Sequence, residues 1–264
     1  MATYFCVSDV HSFYYEMMEA LTDTGFDINN KNHVFVSLGD LLDRGPKPKE
    51  CLEFVNSIPK NRKILIKGNH ERLLQECIKT KQFKSHDFYN KTFDTALILT
   101  DCTKYDDHNK ILTKLEYNKL WNNYINDCID YYENEKYIFV HGWIPCTKWV
   151  EGINLFNEEI NSYDPLPDWR IGNWDKASWL NGMDCWNKGI IVPNKIILCG
   201  HYHSSWGHCY LHNDGIDIPK NYNDLETSGW NTNPFIDDGI ISIDACTVLS
   251  GRVNCIKLTK QKAI

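Results

Sequence analysis

Five short stretches hold the residues with chemistry to offer. They read SDVHS (8–12), GDLLDRG (39–45), GNHE (68–71), VHG (140–142) and GHYH (200–203). Together they supply Asp9, His11, Asp40, Asp43, Arg44, Asn69, His70, His141, His201 and His203. Asp, Asn and His donate oxygen and nitrogen of intermediate hardness. That set suits Mn²⁺, Fe or Zn²⁺ better than a thiolate site or an all-oxygen site does. There are enough ligands for two ions, and one carboxylate can bridge them. Each stretch alone has an ordinary structural reading. Asp9 and Ser12 can cap a helix. Gly39, Gly45 and Gly68 can be turn glycines, and a lone His141 can be a satisfied core histidine. The joint pattern is harder to explain in that way.

What the five share is the end of a strand. Apolar runs at 3–8, 33–39, 63–68, 136–142 and 195–200 read as strands, and two more at 239–244 and 252–258 close the chain. Helical patterns lie at about 12–22, at 46–58 and from 71 onward. Strand alternating with helix is the α/β signature. In an open α/β sheet the C-terminal strand ends form one rim, where sites are built. Residues 80–134 read as a polar helical insertion. In it Leu120, Trp121, Tyr124, Ile125, Cys128, Ile129 and Tyr132 recur at helical spacing, as core packing does. Residues 143–194 read as an irregular insertion carrying six tryptophans. With no internal repeat and no linker, residues 1–264 are expected to form one domain with two insertions.

The totals narrow the classes. A net charge of −7 and a pI near 5.8 argue against extended nucleic-acid binding, which needs a basic surface. A small anionic substrate stays open, because a metal or a local cation overrides the global sign. Eleven scattered cysteines, none in a C-x-x-C pair, read as reduced core residues rather than as disulfides or a zinc site. No stretch approaches the ~18 apolar residues of a membrane span. MATYFCVSDV lacks the pattern of a signal peptide. A soluble, cytoplasmic protein without membrane partners is the expectation.

In this order, DVH, GDLLDRG, GNHE, VHG and GHYH resemble the calcineurin-like metallophosphoesterase superfamily. GD-x-x-DRG with GNHE is similar to its Ser/Thr phosphoprotein phosphatase branch, bacterial and phage enzymes especially. The N-terminal stretch and GDLLDRGP also resemble symmetrical diadenosine tetraphosphate hydrolases, and ISIDACTVLSGRVNCIKL resembles that family's last two strands. The resemblance implies a four-layer sandwich, two central mixed sheets flanked by helices, with two divalent ions at the strand ends. Asp9 and His11 would hold the first ion, and Asp40 would bridge both. Asn69, His141 and His201 would hold the second. His70 would be the general acid, oriented by Asp43, and Arg44 would grip phosphate. A hydroxide bridging the ions would attack phosphorus in line. Mn²⁺ is the expected metal, with Fe or Zn²⁺ as alternatives.

The sequence departs from the family pattern in three places. Lys67 stands where the Ser/Thr phosphatases usually carry Arg, so either a simpler charge contact to phosphate replaces a fork or the side chain points away. Ser8 and Ser12 stand where Gly is frequent. His203 adds a second histidine, expected to ligate the first ion as in many nucleases and phosphodiesterases of the superfamily. Packing within the insertion is the favoured reading for the six tryptophans; Trp143 and Trp206, close in sequence to ligand histidines, are the expected substrate walls if any tryptophan lines the site. The substrate is expected to be a phosphorylated protein or small phosphomonoester. The alternative is a nucleotide phosphoanhydride or phosphodiester, with a tryptophan stacking the base. A non-catalytic module on the same fold should have lost ligands, and here they are all present.

Overall fold

A computed structural model describes residues 2–153, 159–218 and 229–259. Twelve strands are present among them. They are β1 (Thr3–Val7), β2 (His33–Ser37), β3 (Lys63–Ile66), β4 (Cys128–Ile129), β5 (Tyr132–Glu133), β6 (Tyr137–Phe139), β7 (Cys146–Ile153), β8 (Glu159–Pro165), β9 (Ile196–Cys199), β10 (Phe235–Asp237), β11 (Ile240–Ser242) and β12 (Cys255–Thr259). One sheet has the order β12-β1-β2-β3-β4 and a second has β10-β11-β9-β6-β5. In the first, β1 to β4 run parallel and β12 joins antiparallel. In the second, β6, β9 and β11 run parallel, and β5 and β10 join antiparallel.

Period-two alternation explains why these sheets stack. Tyr4 and Cys6, Val34 and Val36, and Ile64 and Ile66 face one way from β1, β2 and β3. They meet Tyr137, Phe139, Leu198 and Ile241 from the other sheet. The intervening Phe5, Val7, Phe35 and Leu65 face the opposite way, onto helices that supply Met17, Leu21, Leu52, Val55 and Leu74. Ile138, Ile197, Cys199 and Ile240 turn to the outer face of the second sheet, where Trp143, Met183 and Cys185 cover them. Successive strand residues point to opposite faces, so a strand apolar at every position must be covered on both sides. The result is helix, sheet, sheet, helix, the four-layer sandwich expected from the motifs. All eleven cysteines are free thiols. No helix among the described residues is long and apolar enough to cross a membrane.

Two expectations need correction. The helical stripe from Leu120 stops at Asp127, the end of the helix Lys119–Asp127. Cys128 and Ile129 leave the helix to pair with Leu65 and Ile66 at the sheet edge. Edge pairing there satisfies backbone groups that another helical turn would have bonded internally. The segment 143–194 is also more regular than it reads. It contains the antiparallel hairpin β7–β8 and the short helices Trp174–Ala177 and Gly182–Asn187, while 154–158 lie outside the described residues.

Candidate active site

The chemistry sits where the strands of both sheets end. Asp9 follows β1, Asp40 follows β2, and Asn69 and His70 follow β3. His141 follows β6 and His201 follows β9. The two rims are tied directly. The N–H of His201 donates to Asp9 Oδ2 at 2.9 Å, and His141 Nδ1 lies 2.8 Å from the Leu38 carbonyl. Glycine permits this closeness. A Cβ on Gly39, at φ 101°, would sit 2.7 Å from both the Gly68 backbone and His141 Nδ1. The loops are strained as well. Asp9, His11, Asp40, Asp43, Arg44 and His201 all hold positive φ between 50° and 72°. Such backbone costs about 1–3 kcal/mol per residue and persists where surrounding structure over-determines it.

A cavity of about 370 Å³ opens here, with Asp9, His11, Asp40, Arg44, Asn69, His70, His201 and His203 on its walls. Among the described residues two triads of donor groups meet here, His11–Asp40–His70 and Asp40–His141–His201, with His141 behind the cavity wall. Each triad's ligand atoms are all within 4.8 Å of one another, and the two triads share Asp40. His141 shows why a cation fits. Its Nδ1 faces the Leu38 carbonyl, and its Nε2 lies 2.8 Å from Asn69 Oδ1 and 3.4 Å from Asp40 Oδ1. Both ring nitrogens therefore face oxygen acceptors, while a neutral imidazole donates from only one. Burial alone would lower this pKa, but the charge and hydrogen bond of Asp40 prevail and push it up to about 9. A divalent ion in place of that proton would satisfy the same oxygens. His11 is prepared similarly. Its Nδ1 lies 3.1 Å from the Leu42 carbonyl, leaving Nε2 to face Asp40. Burial, then the cations Arg44 and His70, holds its pKa well down, so it presents a lone pair.

The remaining groups orient these. Asp43 Oδ2 lies 2.7 Å from His70 Nδ1, and Arg44 reaches within 3.3 Å of His70 Nε2. Burial opposes protonation of His70, yet Asp40 and Asp43 together raise its pKa. Glu71 accepts the backbone N–H groups of Asp40 (2.9 Å), Leu41 (3.0 Å) and Gly68 (2.9 Å). It thereby fixes the loop carrying the shared carboxylate. Asp9 lines the cavity but stands outside both triads. Its Oδ2 is occupied by Ser8 and by the His201 N–H, leaving Oδ1 free to ligate.

Residues 2–205 match the family described as calcineurin-like phosphoesterase. The chain belongs to that family. Membership makes it a phosphoric ester hydrolase by class. The symmetrical bis(5'-nucleosyl)-tetraphosphatase of Buchnera aphidicola is 42% identical over 71 residues, 27% of this chain and 24% of that protein. The asymmetrical bis(5'-nucleosyl)-tetraphosphatase of Bacillus subtilis is 34% identical over 88 residues, 31% of this chain and 36% of that one. The matches thus span a quarter to about a third of these relatives. Two solved structures share the fold. A cold-active protein-tyrosine phosphatase of Shewanella, 14% identical, aligns over 98% of this chain and 76% of its own, with a TM-score of 0.54. A protein serine/threonine phosphatase of Saccharomyces cerevisiae, 11% identical, aligns over 100% and 82%, with a TM-score of 0.50.

Within this phosphoesterase, three expected substrate contacts lie away from the cavity. Trp143 is fully buried and donates its indole N–H to the Ile190 carbonyl, so it is core. Trp206 packs in the outer cluster of the second sheet against Tyr202 and Tyr210. Lys67 lines a neighbouring groove instead. The exposed wall is Trp179. Its sequence signal is only membership in the tryptophan-rich segment. Asp244 is a further buried cavity acid. It follows β11, so the strand-end pattern of IISID points to it. Burial, then repulsion from Asp9, raises its pKa to about 7. Asn90 also reaches the cavity from the helical segment, without any motif.

Proposed function

We propose that this phosphoesterase cleaves a nucleotide phosphoanhydride, with dinucleoside polyphosphates as its substrate class and the cytoplasm as its compartment. The observation that carries the reading is the 42% local identity to a bis(5'-nucleosyl)-tetraphosphatase. An exposed indole at the cavity mouth supports it, since every base has a face to stack. In this reading His11, Asp9 and His203 hold one divalent ion and Asn69, His141 and His201 the other, with Asp40 between them. Mn²⁺ suits this mixed donor set. The bound ions would supply Lewis acidity to phosphate oxygens and an acidified water. The chain's own groups do the rest. Arg44 places a planar fork against non-bridging oxygens. His70, its pKa raised against burial by Asp40 and Asp43, donates a proton to the departing oxygen. Asp43 keeps the imidazole aimed at that oxygen.

The test is a substrate panel with Mn²⁺: diadenosine tetraphosphate, phosphoserine peptide, p-nitrophenyl phosphate and bis-p-nitrophenyl phosphate. The proposal expects the highest kcat/KM on diadenosine tetraphosphate. Preference for the phosphopeptide would replace it with the phosphoprotein phosphatase reading. No turnover on any of the four would point to a non-catalytic module.

A further inference from the structure

Trp179 is 52% exposed and stands beside His201, with ring centroids 5.8 Å apart and planes at 82°. It walls two spaces at once. One is the metal cavity, and the other is a groove of about 480 Å³ that also reaches Asn69. Lys67, Arg72, Glu76, Lys79 and Asp175 line that groove. Arg72 is engaged by Asp130 at 2.7 Å and by Asp175, so those charges largely cancel and stiffen the floor. Lys67 and Lys79 form no ion pair among the described residues, and Glu76 lines the same groove.

We infer that this groove is a second nucleoside subsite. It deepens the nucleotide reading and rests on it. The reacting phosphate occupies the metal cavity, and the polyphosphate chain passes Asn69 with Lys67 and Lys79 beside it. The nucleobase stacks on Trp179. The volumes favour this division. Pockets for compact ligands run about 300–1,000 Å³. A dinucleoside polyphosphate has two bulky ends, so each space takes one of them. A simple phosphate needs only the metal cavity and is indifferent to the groove. Stacking on an aromatic face strengthens binding roughly five- to hundredfold per base.

The test compares Trp179→Ala, Trp179→Phe and Lys67→Met with wild type, all loaded with Mn²⁺. Three quantities are read: KM for diadenosine tetraphosphate, Ki for inorganic phosphate, and affinity for a fluorescent ADP by anisotropy. Trp179→Ala should raise the KM and weaken ADP roughly tenfold, with the phosphate Ki unchanged within twofold. Trp179→Phe should recover most of the loss, and Lys67→Met should weaken ADP more steeply at low salt than at high salt. A wild type that turns over diadenosine tetraphosphate, with a Trp179→Ala KM within twofold of it, overturns the subsite and leaves the function standing. An equal rise in phosphate Ki overturns it too, since Trp179 would then act by supporting His201. If Trp179→Ala does not fold, the Phe and Met variants decide: unchanged ADP affinity in Lys67→Met overturns the proposal. A wild type inactive on the dinucleotide but active on phosphopeptide overturns both readings.

Discussion

Thr92 donates its hydroxyl to Asp43 Oδ2 at 2.6 Å, the same carboxylate oxygen that lies 2.7 Å from His70 Nδ1. All three residues are buried, and Asp43 Oδ1 has no partner. The aim of the His70 ring therefore runs back, through one carboxylate oxygen, to the helix Thr92–Thr100.

Thr92→Val keeps the shape and removes that hydroxyl. Metal content and KM should stay within twofold of wild type. Turnover should fall roughly three- to tenfold on substrates with poor leaving groups, as expected for the loss of about one net hydrogen bond. His70→Ala should keep both ions and lose about 10²–10⁴ in kcat on the same substrates, and far less on p-nitrophenyl phosphate. Metal analysis is the check. Loss of an ion in His70→Ala would make His70 a ligand of the triad it forms with His11 and Asp40, and not the proton donor.

Asp40→Asn should release both ions, whereas Asp9→Asn should release one. The triads share Asp40, while Asp9 lines the cavity outside both. Glu71→Gln should weaken both ions without touching either. Its carboxylate accepts three backbone N–H groups, and an amide turns a donor toward at least one of them. A mismatch of that kind costs about 1–3 kcal/mol in a buried position. Calorimetric titration with Mn²⁺ reads all three variants. Two tight ions in Asp40→Asn would move the bridge to another residue.

The rim was legible because strand ends are marked locally, by an apolar run followed by Asp, Asn or His. Asp9, Asp40, Asn69, His141 and His201 are all found that way, and Asp244 follows the same rule after β11. What lies across the rim was not legible. Glu71 shows its capping role toward Gly68 in GNHE, but its bonds to Asp40 and Leu41 join residues 31 and 30 apart. Thr92 and Asn90 come from a segment whose pattern reports only helix. Nearness in sequence also misled for tryptophan. Trp143 is two residues from His141, yet its side chain turns under the sheet, while Trp179 reaches the cavity from 22 residues before His201. Sequence proximity fixes where a backbone is, and side-chain direction is set by packing.

His203 tests the second imidazole of GHYH. Its Nδ1 lies 2.7 Å from Ser205 Oγ and 3.3 Å from Asp217 Oδ1. Those partners occupy one nitrogen and leave Nε2 for the cavity, an arrangement common to metal-bound histidines. His203→Ala should weaken one ion and spare the other. Asp217→Asn should produce a milder loss at the same site, roughly tenfold, by releasing the ring. Titration showing two ions of unchanged affinity in His203→Ala would leave this histidine to the substrate alone.

The pH dependence of stability should weaken with metal. His141 is raised to about 9 and His70 is raised as well, both against the opposing effect of burial. A histidine whose folded pKa lies above its unfolded value adds stability that is fully present below about 6.5 and fades as pH rises through the folded value. His11 and His201 are shifted the other way, His201 to about 3, chiefly by burial. Above pH 7 both are neutral whether folded or not, and they drop out. Thiols that are buried when folded start to ionise in the unfolded chain toward pH 8.5 and lower stability with or without metal. On top of that fall, chelated protein should lose about 1–2 kcal/mol between pH 7 and 8.5 from these histidines. In Mn²⁺ the ions replace the protons between His141, Asn69 and Asp40, so that loss should vanish. Metal binding also displaces protons, which makes Mn²⁺ stabilise more at pH 8.5 than at 7. Urea unfolding at both pH values, with chelator and with Mn²⁺, measures the four stabilities. A fall with pH as steep in Mn²⁺ as with chelator would mean that His141 keeps its proton and is not a ligand.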